Sequence, residues 1–155
     1  MKETEEELIE ELRVDGCAPA ITKLAKKLRK PGSTIHFNIK RMEKEGKILT
    51  YKAVFDNEKI GKGFTAFALV KLSSRAYEKK GFTSEIGKRI ASHPEVESVD
   101  ALTGEWELLV KIRAKDQKEY FALTEEILSG EGIVKVNSLI SLEQFKSEYV
   151  ERGKK

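Results

Sequence analysis

Cysteine occurs once in this 155-residue chain, at Cys17, so no disulfide can close within it. A reducing compartment, the cytoplasm, is the natural expectation. No run of about 18 apolar residues exists, which excludes a helical membrane span. The opening Met1-Lys2-Glu3-Thr4-Glu5-Glu6-Glu7 is acidic rather than basic-then-apolar, so it does not read as a secretory signal. Histidine is also scarce: His36 and His93 have no motif partner, and Cys17 has no histidine near it in sequence. Phosphate loops, dinucleotide fingerprints and metal-ligand spacings are missing as well. The chain is therefore expected to be no enzyme, with no catalytic residue, metal or cofactor. What it does have is 39% hydrophobic residues, enough for a packed core.

The net charge of +3 conceals a division along the chain. Residues 1–21 hold two basic and seven acidic side chains, a net of −5. Residues 22–52 hold ten basic side chains (Lys23, Lys26, Lys27, Arg29, Lys30, Lys40, Arg41, Lys44, Lys47, Lys52) against Glu43 and Glu45, a net of +8. The remainder is close to neutral. A basic run is usually only a solvated face, but here it coincides with a helix-turn-helix pattern.

Thr4-Glu5-Glu6-Glu7 reads as a capping box opening a helix with Leu8, Ile9 and Leu12 inward, ended by Asp15-Gly16. Ile21, Leu24, Ala25 and Leu28 recur at helical spacing. Pro31 restricts Lys30 and marks a turn. A third helix then carries Ile35, Ile39 and Met42 inward and stops at Gly46. Ile48–Phe55 has strand character, so the first 55 residues read as a small winged helix. Beyond it, Phe64–Leu72 is an apolar strand, followed by a helix with Ile86 and Ile90 inward. Val96–Leu102 and Glu107–Arg113 are strands around Thr103-Gly104-Glu105-Trp106. Asp116-Gln117-Lys118-Glu119 is a second capping box, opening a helix with Phe121, Thr124, Ile127 and Leu128 inward. Ile133–Leu142 is the last strand, with Val134, Val136, Ile140 and Leu142 on one face.

The fold class is therefore α+β, an N-terminal winged helix-turn-helix followed by a ferredoxin-like βαββαβ sandwich. The expected divisions are 1–50 for the head, 51–62 for a hinge strand and linker, 63–143 for the sandwich and 144–155 for a charged, helical tail. Both sandwich helices would lie on one sheet face, and a second copy is the simplest cover for the other.

In the third helix, the side opposite Ile35, Ile39 and Met42 holds Ser33, Phe37, Lys40 and Lys44, with Thr34 and Arg41 nearby and His36 and Asn38 on the flanks. A helix in the major groove needs short polar groups near its start for base edges and cations farther along for phosphates. Ser33, Thr34, His36 and Asn38 supply the first; Lys40, Arg41 and Lys44 supply the second. Phe37 could meet a thymine methyl or pack on a neighbouring loop.

Leu24-Ala25-Lys26-Lys27-Leu28, Ser33-Thr34-Ile35-His36 and Ile39–Ile48 together closely resemble the DNA-binding head of the Lrp/AsnC (feast/famine) regulators. Asp15-Gly16 with Ala18-Pro19 and Tyr51-Lys52-Ala53 match too. In the body, Ala66–Lys71, His93-Pro94-Glu95-Val96 and Thr103–Leu109 fit, the last resembling that family's Gly-Asp-Tyr-Asp signature with conservative replacements. The resemblance spans roughly residues 5–142. It implies a transcription regulator that binds double-stranded operator DNA, dimerises through the sandwich and assembles into higher oligomers. It also implies an amino-acid-like effector near the signature loop, making Thr103, Gly104, Glu105, Trp106 and Glu107 candidate effector contacts. Asn38 departs from a basic residue common in the family, and the bulkier loop side chains bear on which ligand fits. The alternative is a sensor or assembly module that modulates another regulator without binding DNA itself.

Overall fold

The computed structural model describes residues 2–15, 20–51, 53–74 and 80–145. The chain divides into two compact units, Met1–Val54 and Phe55–Glu143. The Gly16–Pro19 connection, Lys52 and nearly all of the expected C-terminal tail lie outside the described residues.

Three helices build the first unit: α1 (Lys2–Asp15), α2 (Ile21–Leu28) and α3 (Gly32–Lys44). Leu8, Leu24, Ile35, Ile39 and Met42 are buried together, with Leu12, Ile21, Ala25, Leu28 and Ile48 packed around them. α1 begins two residues before the expected Thr4 cap. The Thr4 hydroxyl is engaged elsewhere, accepting from Lys30 Nζ at 2.8 Å. Ile9, expected inward, is over a third exposed. The turn between α2 and α3 runs through Arg29, the only non-glycine with positive φ (52°) among the described residues. This left-handed cap sends the Arg29 amide back toward the Ala25 and Lys26 carbonyls. Gly46 (φ 69°) closes α3, and the Lys47 and Ile48 amides both turn back to the Met42 carbonyl.

No strand forms over the described residues of Ile48–Phe55, contrary to expectation. The β-branched and aromatic residues there give strand propensity, but no neighbouring strand supplies a ladder.

The second unit contains β1 (Phe64–Leu72), α4 (Phe82–Ala91), β2 (Val96–Ala101), β3 (Leu108–Ala114), α5 (Gln117–Leu128) and β4 (Ile133–Ile140). The sheet is antiparallel with order β2-β3-β1-β4, the ferredoxin-like arrangement. The central strands alternate strictly. Ala66, Ala68, Val70 and Leu72, with Leu108, Val110, Ile112 and Ala114, are buried beneath both helices. Their opposite face carries Phe67, Leu69, Leu109, Lys111 and Arg113. Asp116 caps α5 by accepting from the Glu119 amide at 2.9 Å, while Glu119 reaches back to the Lys115 amide.

Two inward assignments change. Tyr120, not Phe121, enters the core, because its hydroxyl can donate to Ser138 Oγ at 2.7 Å. Phe121 is half exposed. In β4, a register shift at Lys71/Leu72 pairs Leu72 with Ile133 and Lys71 with Lys135. That irregularity carries Ile133 inward and Val134 outward, breaking the expected Val134–Val136–Ile140 face. Leu142 lies beyond the strand and is almost fully exposed.

Two outcomes are expected. Arg29→Gly should raise the head's stability by roughly 0.5–1 kcal/mol in urea unfolding, since glycine takes the left-handed conformation without a Cβ clash. No gain would mean that the Arg29 side chain contributes more than its backbone costs. In the sheet, burial pushes the Glu97 carboxyl up, but bonds from Lys111 (2.8 Å) and Arg113 (2.6 Å) outweigh it and hold it below the ordinary glutamate range. A depressed folded-state pKa contributes stability above the unfolded value of about 4.3 and loses it as pH falls through the folded value. Urea midpoints measured between pH 7 and pH 3 should therefore fall less steeply on the acid side for Glu97→Gln than for the wild type.

Candidate nucleic-acid interface and signature loop

Helix α3 presents one exposed stripe. Ser33, His36, Phe37, Lys40 and Lys44 all face solvent, with Phe37 62% exposed. Thr34 is half-buried. Lys40 pairs with Glu43 at 2.8 Å, and Tyr51 donates to the same glutamate at 3.0 Å. Hydrogen bonds from Lys40 and Tyr51 hold the Glu43 carboxyl below its ordinary range. Lys44 has no ion pair among the described residues.

Two candidates face elsewhere. Asn38 is 2% exposed, donates from Nδ2 to the Thr34 carbonyl at 2.8 Å and accepts on Oδ1 from Arg41 at 3.0 Å. It is a core-edge residue rather than a base-reading one. On a helix it lies only about 60° from Ile35, close enough to the apolar stripe for that burial to have been foreseen. Arg41 points toward α1, where its Nη2 reaches Glu5 Oε2 at 2.5 Å. Glu5 also accepts from Lys47, Glu7 from Lys30, and Glu11 from Lys27. Four of the ten cations that gave residues 22–52 their net +8 are thus matched by α1. The acidic first segment was visible in the sequence, but which cations it would neutralise was not.

In the second unit, the turn joining β2 and β3 is closed by the Leu102 amide on the Glu107 carbonyl at 2.8 Å. Gly104 has φ 109°, which disfavours any side chain there although open space surrounds it. Thr103, Gly104 and Glu105 are exposed, and Trp106 is partly covered. Lys135 Nζ sits 5.5 Å from the Trp106 ring centroid. Glu107 is 7% exposed: its Oε2 accepts from the buried Leu72 amide at 2.8 Å and its Oε1 from Lys71 Nζ at 3.3 Å. Lys71 also donates to the Glu105 carbonyl. Glu107 therefore anchors the loop to the end of β1, leaving Glu105 as the loop's outward carboxylate.

His93 Nδ1 accepts from the Glu95 amide at 3.3 Å, and its Nε2 lies 3.6 Å from Glu126. Among the described residues no cluster of three metal-ligating side chains occurs, and no helix is long and apolar enough to cross a membrane.

Residues 65–151 match the family model described as the Lrp/AsnC ligand binding domain. The chain belongs to the Lrp/AsnC family of transcription regulators. It is 30% identical to the HTH-type transcriptional regulator FL11 of Pyrococcus furiosus, over 94% of this chain and 92% of that one. To the DNA-binding transcriptional activator DecR of Escherichia coli it is 27% identical, over 84% of each. Among solved structures, an AsnC family transcriptional regulator from Agrobacterium tumefaciens superposes with a TM-score of 0.83 at 23% identity, covering 95% of this chain and 94% of that one. A regulator of Neisseria meningitidis in complex with L-Met gives 0.81 at 23% identity, covering 93% and 91%.

The two glutamates of the loop should separate cleanly. Glu107→Ala leaves the buried Leu72 amide without its acceptor and should destabilise the chain by about 1–3 kcal/mol in denaturant unfolding. Glu105→Ala should stay within about 0.5 kcal/mol of wild type, as surface changes usually do. Equal effects would contradict the anchoring role.

Proposed function

We propose that this regulator acts in the cytoplasm as a homodimer, binding operator DNA through the exposed stripe of α3 and responding to a small amino-acid-like effector at the 103–107 loop. The observation that carries the DNA reading is the stripe itself. Ser33 and His36 stand near the helix start, Lys40 and Lys44 stand farther along, and Phe37 is uncovered between them. That order suits base edges first and phosphates next, with a thymine methyl for the phenyl ring. Thr34 is a subsidiary base-edge candidate, and Arg41 belongs to the phosphate set only when released from α1.

Dimerisation is supported by the helix-free sheet face, where Phe67, Leu69, Leu109 and Leu139 are apolar. Covering such a face with a second copy gains about 25 cal/mol per Å² of apolar surface. The effector reading rests on family membership and on the loop's chemistry. The Gly104 backbone is open to a carboxylate, Glu105 can accept from an ammonium, and Trp106 offers a ring. An L-Met complex among the fold neighbours agrees with that class of ligand.

Lys44→Ala should weaken binding to all sequences alike and reduce the slope of log K against log salt by about 0.9 for each phosphate no longer neutralised. His36→Ala should instead change which duplexes are preferred in a selection from random sequence. A Lys44 variant with full affinity and slope would remove the stripe from the interface. For the loop, calorimetry with the twenty amino acids should find a ligand that Gly104→Arg no longer binds. A chain that binds none of them below millimolar concentration, and whose sedimentation never changes, is a constitutive regulator.

A further inference from the structure

Glu5 occupies an unusual position for an acidic residue in a DNA-binding head. Its side chain is only 12% exposed, and its two carboxylate oxygens are divided between two cations of the basic segment. Oε2 accepts from Arg41 Nη2 at 2.5 Å and Oε1 accepts from Lys47 Nζ. Glu45 assists on both sides, lying 3.8 Å from Arg41 and pairing with Lys47 at 2.8 Å, and Asn38 Oδ1 accepts from Arg41 at 3.0 Å. Asn38 is in turn fixed by the Thr34 carbonyl, so the guanidinium is oriented by a buried amide. A carboxylate presents two anionic oxygens to a guanidinium much as a phosphate does. From these contacts we infer that Glu5 is an intramolecular phosphate surrogate: it keeps Arg41 and Lys47 from binding DNA non-specifically, so that bulk affinity is carried by fewer cations than the sequence contains.

The inference rests on the DNA-binding reading above, and it predicts something that reading alone does not. Non-specific affinity comes from cations that displace counterions from the duplex, and the salt slope counts them. A cation already paired with Glu5 displaces none unless its bond to Glu5 breaks. Withholding two cations lowers binding to the excess of random sequence. A staple that only packs α1 against α3 would change stability without changing the slope.

The test is binding of the full chain to a random-sequence duplex across a fourfold range of salt, alongside thermal unfolding by circular dichroism. Glu5→Gln should steepen the slope by about 0.9 for each cation released. For one or two cations, its affinity would then change about 3- to 12-fold more than wild type over that range. Adding Arg41→Gln to Glu5→Gln should return about 0.9 of slope, whereas Arg41→Gln alone should leave the wild-type slope in place. A folded Glu5→Gln variant with the wild-type slope overturns the proposal. So does a loss of about 0.9 from Arg41→Gln alone. That second measurement decides the matter even if Glu5→Gln fails to fold. A wild type and a folded Glu5→Gln variant that both ignore DNA remove the DNA-binding reading with the proposal. Binding by Glu5→Gln alone supports both.

Discussion

The acidic face of α1 lying on the cations of α2, α3 and the turn after each is the contact on which the head's form depends. Among the described residues, three helices with five buried apolar side chains make a small core. Around it, Glu5, Glu7 and Glu11 bring Arg41, Lys47, Lys30 and Lys27 to one helix. Individually the more exposed of these pairs contribute little to stability, because water and salt screen them and long side chains must be ordered to form them. Collectively they determine which cations point inward. The same arrangement leaves Lys40 and Lys44 beside Phe37 and His36 on the outward side, so the charges held by α1 and the solvent-facing charges are separated around a single helix.

A comparable economy operates at the signature loop. A buried carboxylate is costly without partners, and Glu107 finds them in a main-chain amide and a lysine at the end of β1. The consequence is a division of labour between two glutamates only two residues apart. One precedes β3, is buried against the end of β1 and anchors the turn; the other remains outward. The loop's outer side thus offers backbone, Glu105 and Trp106 rather than a free pair of carboxylates.

Much of this was legible in the sequence, and the failures have identifiable causes. Periods of 3.6 and 2 locate all three head helices and the four sheet strands, because a single buried face imposes a regular pattern. The Asp116 box reads correctly because both of its hydrogen bonds are local. The Thr4 box misleads because a distant lysine, Lys30, takes the hydroxyl. Tyr120 against Phe121 was decided by a partner on β4, and Val134 by a strand irregularity; neither leaves a trace in local spacing. Ile48–Phe55 shows the complementary case, since propensity without a neighbouring strand makes no ladder. At the sites, residue types singled out α3 and the 103–107 turn as candidates. They could not show that Arg41 and Glu107 face the protein, because that depends on contacts 36 and 35 residues away; the inward turn of Asn38 follows from its place beside the apolar stripe.

Strand β1 joins the remaining features of the second unit. Ala66 and Ala68 are small, which lets the helices approach the sheet, while Phe67 and Leu69 stand on its other face. A few residues on, the Lys71 ammonium and the Leu72 amide hold the loop through Glu105 and Glu107. In a pleated strand these positions are linked by a period of two, so the loop's anchors and the helix-free face belong to one stiff element. A loop displaced far enough to release Glu107 would orphan the Leu72 amide, a cost of about 1–3 kcal/mol. Under the proposed effector site, a ligand that keeps those bonds would add contacts at the loop's outer side, the surface formed by Gly104, Glu105 and Trp106.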